Sequence, residues 1–362
     1  MTCLQTAFTQ LIGVSLPIVQ AGMAGVTTPE MVVAAANSGA LGTIGGGYLS
    51  PDALRQQIRH VKSRTNNPFA VNLFIPKANA SDATDLKQMR EILAPIRTRL
   101  GLDAMSDAAP EPPRFEDQLQ VVLEEGVPVF SFTFGVPAPA VMDACKQQGI
   151  LTLGTATTVE EALELERVGT SAIVVQGAEA GGHRGTFLPY VREPLIGSFA
   201  LIPQVADAVS LPVIAAGGVM DGRGLAAALA LGAAAVQMGT AFLASPESGA
   251  HPLYQERVKQ AIETDTDVTK AYSGKLARGI RTKWMEQLAT YHASIPPYPI
   301  QHYMTQEIRK RAAELGMTDY MSMWAGQGVR LATEHFVADI ISDVMQQAQR
   351  VIHGLSSNWP TA

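Results

Sequence analysis

Residues 174–185 read VVQGAEAGGHRG. A β-branched run ends at Val175, and a polar loop follows in which four of the twelve residues are glycine. His183 sits in that loop between Gly182 and Arg184. Glycine lets a backbone turn sharply and approach a ligand closely. Histidine is the side chain whose ordinary pKa lies nearest neutral pH. A titratable group on a glycine-rich loop after a buried strand has the pattern of an active site. The competing reading is a tight strand-to-helix turn whose histidine caps a carbonyl. Which one holds depends on where the strand stands in the fold.

Working outward, Ala172–Gly177 is the sixth of eight predicted strands. Pro17–Gly22, Leu41–Gly46, Phe69–Ile75, Val127–Phe134 and Ile150–Ala156 precede it. Leu211–Gly217 and Ala235–Phe242 follow. Helix signals fall between them. Thr28-Pro29 and Ser50-Pro51 each pair an N-cap residue with a first-turn proline. Thr158 with Glu161 three residues on spells a capping box at the start of a helix over 158–168. Eight short apolar strands, most followed by a helix, predict an α/β fold: a parallel (β/α)8 TIM barrel closed by about residue 245. A doubly wound open sheet is the alternative.

Two regions break the rhythm. Residues 77–113 read as an insertion, with an amphipathic helix over Asp85–Leu100 and a surface loop over Gly101–Pro113. Past Ser245 the composition turns to tyrosine, proline and polar residues. The expected division is a barrel over 1–250, a mostly helical cap over the barrel mouth at 251–327, and a terminal segment, 328–362. In that last segment Val329–His353 is predicted as one long helix on the barrel, with a loose tail after Gly354.

Composition narrows the function classes. The chain has 362 residues, 47% hydrophobic and 17% charged, so disorder is not expected. A net charge of −6 without a long basic run argues against nucleic acid as a partner. No signal peptide and no apolar run long enough to span a membrane are evident, which points to a cytoplasmic location. The two cysteines, Cys3 and Cys145, make no redox or metal pair. The seven histidines show no metal-ligand spacing, so no metal is expected.

In a parallel barrel the loops after the strands' C-terminal ends form the site. That rule gathers Gln20–Met23, Asn72, Gln176–Arg184, Gly217-Gly218 and Gln237–Thr240. Loops after the seventh and eighth strands frequently hold phosphate beside a helix N-terminus. AAGGVMDG (215–222) and QMGTA (237–241) supply the glycines and backbone N–H groups for such a cradle. Either motif alone is also explained as a tight turn. GTIGGGY (42–48) is only loosely similar to a nicotinamide fingerprint and carries little weight.

At these residues the sequence resembles the nitronate monooxygenase family, formerly the 2-nitropropane dioxygenases. The resemblance rests on QAGMAGVTTPEMVVAAANSGALGTIG (20–45), NLF (72–74), VVQGAEAGGHRG (174–185), PVIAAGGVMDGRG (212–224) and AVQMGTAFLASPES (235–248). YSGKLARGI (272–280) and WAGQG (324–328) extend it into the cap. It implies an FMN-binding barrel, with flavin contacts at Ala21, Gly22, Met23, Asn72, Gln176, Gly181, Gly217, Gly218, Gln237, Met238, Gly239 and Thr240. It makes His183 the catalytic residue and Tyr298 and Tyr303 substrate-binding candidates. A pocket lysine belongs to the pattern too, and Lys310 is the nearest candidate. Arg184 and Glu179 read as solvated or loop-bracing charges.

The implied reaction takes a small-molecule nitronate and O2 to a carbonyl compound and nitrite through a flavosemiquinone. Propionate 3-nitronate is a family-level candidate, with detoxification as its purpose. The alternative is an FMN-dependent NADH:quinone or enoyl-thioester reductase, since related barrels carry a similar AGGH loop. A flavin-free isomerase or lyase acting on a sugar phosphate, and a flavin-binding accessory subunit, complete the alternatives. Oligomeric state stays open.

Overall fold

The computed structural model describes residues 4–76, 83–105 and 113–358. Strands β1 (Ile18–Gln20), β2 (Gly42–Gly45), β3 (Phe69–Phe74), β4 (Val129–Thr133), β5 (Leu151–Ala156) and β6 (Ala172–Gln176) fall within the predicted apolar runs. A two-residue strand, β7 (Gly182–His183), lies in the glycine loop. The seventh and eighth barrel strands are β8 (Val213–Ala216) and β9 (Ala235–Met238). The large sheet runs β1-β9-β8-β6-β5-β4-β3-β2 with every pair parallel. A parallel bridge between Val19 and Leu41 joins its two ends. The expected TIM barrel is the fold, and the open sheet is excluded.

Local chemistry sets the helices around it. Thr28 accepts a hydrogen bond from Met31 N at 3.1 Å and Ser50 one from Ala53 N at 3.2 Å, each with proline next in sequence. The capping box at Thr158 is only half formed. Its hydroxyl accepts from Glu161 N, but the fully buried Glu161 carboxylate turns away. It accepts instead from Thr157 N and Oγ1 (both 2.7 Å), Phe187 N (2.5 Å) and Leu188 N (3.0 Å). Unmet N–H groups of the loop after β7 recruit it.

Inside the barrel, small and branched side chains such as Ala70, Val174, Ile214 and Ala235 fill the lumen. Phe8, fully buried on the helix Ala7–Ile12, joins that cluster; the sequence reading had no helix there. A second core belongs to the cap. Tyr272, Trp284, Ile308 and Tyr320 pack with Met89 and Leu93 of the helix Ala83–Arg99. The insertion's helix therefore packs with the cap rather than in the main barrel core. The expected loop over 101–113 lies partly, and Cys3 wholly, outside the described residues.

Three expectations need correction. The predicted strand Ala235–Phe242 stops at Met238, because Gly239 leaves the extended region (φ −121°, ψ −62°) and Thr240–Phe242 forms a 3-10 turn. The predicted terminal helix divides into a 3-10 turn, Val329–Leu331, and a helix, Val337–Asn358. Glu247 accepts from Val337 N at 3.0 Å and so fixes where that helix starts. It continues past Gly354, so no loose tail begins there. Its packing is close: Gly222 lies against the backbone of Val344 and Ala348, where no Cβ would fit.

The cap is not wholly helical. Beside the helices Pro252–Gln260, Lys283–Ala289 and Ile300–Glu314 it holds an antiparallel ribbon, β10 (Thr266–Thr269) and β11 (Ala277–Ile280). β11 also pairs with β7, setting Ala277 opposite His183 and Arg278 opposite Gly182. Among the described residues no helix is long and apolar enough to cross a membrane.

Candidate active site

A cavity of about 1290 Å³, open solvent at its mouth included, lies at the C-terminal ends of the barrel strands. Ala21, Gly22 and Met23 line it after β1, and Asn72 from within β3. Gln176, Gly181 and His183 come from β6 and the loop beyond it. Gly217 and Gly218 follow β8, while Gln237, Gly239 and Thr240 come from β9 and its turn. The structure thus brings together all but one of the residues expected at the flavin. The exception is Met238, whose side chain packs into the core, 1% exposed, because successive strand side chains point to opposite faces. Only its carbonyl takes part locally, accepting from Ala21 N at 2.9 Å.

Close approach explains the glycines. Gly217 and Gly218 have φ of 111° and 74°, a region L side chains rarely adopt. A Cβ on Gly181 would stand 2.6 Å from the Ala325 backbone, and one on Gly22 3.1 Å from Asn72 Cβ. The helix after β8 does not serve as sequence reasoning expected. Asp221 caps it, accepting from Arg223 N at 2.9 Å and Gly224 N at 3.4 Å. A carboxylate already holds that N-terminus, so an anion in the cavity meets the glycine loops instead. Across the cavity the segment WAGQG is pinned down: Gly326 N donates to Thr240 Oγ1 at 3.0 Å and Gln327 N to Glu179 O at 2.9 Å.

His183 stands in an aromatic box. Its ring centroid lies 5.4 Å from Trp324, 5.7 Å from Phe134 and 5.8 Å from Tyr298. Nε2 is 2.8 Å from Ser273 Oγ. Burial, with smaller contributions from the Lys275 and Arg309 charges, pushes its pKa down to about 3. The imidazole is therefore neutral at physiological pH. Among the described lining residues there is no carboxylate, lysine or arginine.

The neighbouring loop is braced from beneath. Gln176 spends both ends of its amide on it, donating to His183 O (2.9 Å) and accepting from Gly185 N (2.8 Å). Arg184 is fully buried and donates to Gly177 O (2.6 Å) and Gln176 O (3.2 Å). Glu179 accepts from Ser198 N and Oγ. Both charges brace loops, and Arg184 is not solvated. Asn72 Nδ2 donates to Ser131 Oγ at 3.0 Å. Thr43 Oγ1 is buried at the cavity wall without a hydrogen-bond partner among the described residues.

Outside this chamber lies a second one, about 1580 Å³ with its open solvent, sharing Phe74 and Phe134 as walls. Tyr298 and Tyr303 line this outer chamber. Tyr298 reaches the partition, 5.2 Å from the Phe134 ring, whereas Tyr303 lies farther out against His302. Lys310 is exposed and lines neither chamber, which corrects the sequence reading. The lysine at the site is Lys275, whose Nζ lies 5.0 Å from the Phe134 ring centroid and donates to Thr186 O at 2.7 Å. Phe134 carries the only positive φ outside glycine among the described residues, 79°. Sequence reasoning missed Tyr48, Phe134, Ser273 and Lys275. The last two lie inside YSGKLARGI, a stretch that carried the resemblance but was assigned no role.

A (β/α)8 barrel with a capped mouth and a neutral histidine over a glycine-lined cavity is the class that fold and site define. The family model described as nitronate monooxygenase matches residues 5–347, and the chain belongs to that family. A Staphylococcus aureus (strain MSSA476) protein described as a probable nitronate monooxygenase is 45% identical over 345 residues, covering 95% of this chain and 97% of its own. The crystal structure of a nitroalkane oxidase from Streptomyces ansochromogenes matches with a TM-score of 0.90 at 36% identity, over 97% of this chain and 100% of that one. FabK from Thermotoga maritima matches at 0.80 and 32% identity, over 98% and 100%. Family and fold together support an oxidoreductase acting on nitronate-like compounds.

Proposed function

We propose that the protein is an FMN-dependent nitronate monooxygenase, converting an alkyl nitronate and O2 to a carbonyl compound and nitrite. One observation carries the reading. Among the described lining residues of the inner cavity the only group that can take up a proton is a neutral histidine, with Lys275 and Arg309 close enough to depress its pKa and no carboxylate beside it. Such a site favours an anion.

The residues fit FMN. Backbone N–H groups around Gly217, Gly218, Gly239 and Thr240 suit its phosphate. The unpartnered Thr43 hydroxyl and the Asn72 amide suit its polar edges. The glycines at 22, 181 and 217 leave space that a methyl group would take. When bound, FMN supplies the electron acceptor and the route by which electrons reach O2.

His183 then has a defined task. A base with a pKa near 3 is poorly matched to the α-proton of a neutral nitroalkane. A nitronate arrives without that proton. Its negative charge raises the affinity of the imidazole for a proton, so His183 holds the anion more firmly as it becomes charged. Trp324, Phe134 and Tyr298 keep water from its ring.

The test is anaerobic mixing of the FMN-loaded protein with propionate 3-nitronate, or separately with NADH. Bleaching of the flavin spectrum by the nitronate alone is expected, with nitrite released once O2 is admitted. Bleaching by NADH alone moves the protein to the reductase class. Failure to bind FMN favours a flavin-free barrel.

A further inference from the structure

His302, buried in the first turn of the helix Ile300–Glu314, lines neither chamber and has no part in the reaction above. Its surroundings are nonetheless specific. Arg309, two turns further along the helix, places Nη2 3.3 Å from His302 Nδ1 and 2.9 Å from the His302 carbonyl oxygen. Arg309 Nε donates to Thr305 Oγ1 at 3.2 Å. A guanidinium only donates, so Nδ1 must accept and the proton must sit on Nε2. No carboxylate among the described residues pairs with this arginine. Its presence holds His302 in one tautomer and keeps the ring uncharged.

The face of that ring is used. Tyr48 stacks on it at 4.1 Å between centroids and 15° between planes. The edge of Phe74 closes on Tyr48 from another side, 5.2 Å away. Held between them, Tyr48 lines the inner cavity. Its hydroxyl is buried and faces the Tyr298 hydroxyl, but meets hydrogen-bond geometry with no described residue. A buried O–H met this poorly is costly to keep. It is tolerated where a ligand completes it. The glycine run before it (Gly45, Gly46, Gly47) gives the loop room to pass close to Met23 and Phe74.

We propose that Tyr48 donates a hydrogen bond to an oxygen of the anionic substrate, and that His302, fixed by Arg309, is the residue that positions it. Tyr48 is the binding group; His302 and Arg309 act through it. The ligand class is a small planar oxyanion, which the two oxygens of a nitronate satisfy. The inference rests on the proposed function for the identity of the substrate, but not for the geometry.

Nitrate serves as a planar, unreactive oxyanion. Its affinity for the FMN-loaded protein is measured by calorimetry, alongside KM and kcat for propionate 3-nitronate. Tyr48→Phe is expected to weaken nitrate about tenfold and to raise KM more than it lowers kcat. His302→Ala follows in the same direction. His302→Phe, which keeps a ring against Tyr48, loses less than His302→Ala. Nitrate binding unchanged in Tyr48→Phe overturns the proposal, as does absence of nitrate binding in the wild type. Equal losses in the two His302 variants overturn the positioning role. Should His302→Ala not fold, Tyr48→Phe and His302→Phe decide alone, the latter by falling between wild type and Tyr48→Phe. A wild type that binds nitrate but releases no nitrite from a nitronate sinks the functional reading and leaves this one standing.

Discussion

His183 Nε2 lies 2.8 Å from Ser273 Oγ, joining a barrel loop to the cap ribbon across ninety residues of sequence. The Ser273 hydroxyl also donates to Lys275 O at 3.2 Å. Its single proton being spent there, Ser273 accepts from the imidazole. His183 therefore carries its proton on Nε2, and Nδ1 is the unprotonated nitrogen. Ser273→Ala releases that constraint. The flavin content should stay the same while kcat/KM for a nitronate falls about threefold to tenfold, the worth of one neutral hydrogen bond. Complete loss of turnover would instead give Ser273 a direct chemical part.

The two buried histidines make the fold sensitive to acid. Burial, followed by Arg309, pushes His302 down to about 2; burial, followed by Lys275 and Arg309, pushes His183 down to about 3. In the unfolded chain both titrate near 6.5. Below that pH the unfolded state takes up protons that the native state refuses. Stability is thus intact above 6.5 and lost as pH falls toward the folded values, at up to about 1.4 kcal/mol per pH unit for each histidine. Urea titrations between about pH 6.5 and 5, above the range where carboxylates dominate, should show this slope. His302→Phe should reduce it, and an unchanged slope refutes the assignment.

Glu161 is a structural carboxylate. Four hydrogen bonds converge on it, two from Thr157 and one each from the Phe187 and Leu188 backbones. In Glu161→Gln an amide NH2 replaces one acceptor and faces donors. Chemical denaturation should report a loss of about 2–3 kcal/mol. A shift below about 0.5 kcal/mol would mean that the loop after β7 finds other partners.

The glycine cradle can be probed by cofactor retention. In Gly217→Ala the new Cβ stands 3.0 Å from Ala180 N, on a residue whose φ of 111° already disfavours a side chain. The barrel should fold, as judged by circular dichroism, and leave purification with less flavin per chain than the wild type. A full flavin complement would remove the phosphate-cradle reading of this loop.

Much of this molecule was legible in its sequence for a physical reason. Strands buried on both faces leave continuous apolar runs, and Thr28, Ser50 and Thr158 announce their helices through hydroxyl caps. The loops after those strands converge by topology, so Asn72, His183 and Gly217 could be placed together before any contact was known. What stayed hidden depends on contacts distant in sequence. Nothing local marks residues 277–280 as a strand; β11 exists because β7 and β10 flank it. Lys275 was passed over for Lys310 because spacing along a helix says nothing about a ribbon that reaches the site from elsewhere. Tyr48 acquires its place only by stacking on His302, 254 positions away.

The pairing of β7 with β11 also sets an order of events. All eight barrel strands lie before residue 239, yet Ser273, Lys275 and Trp324 come after it. A nascent chain can close its barrel on the ribosome while the walls around His183 are still being translated. The enclosure is among the last parts to be synthesised, so a chain that stops short of residue 273 carries His183 and the glycine loops without Ser273, Lys275 and Trp324 around them.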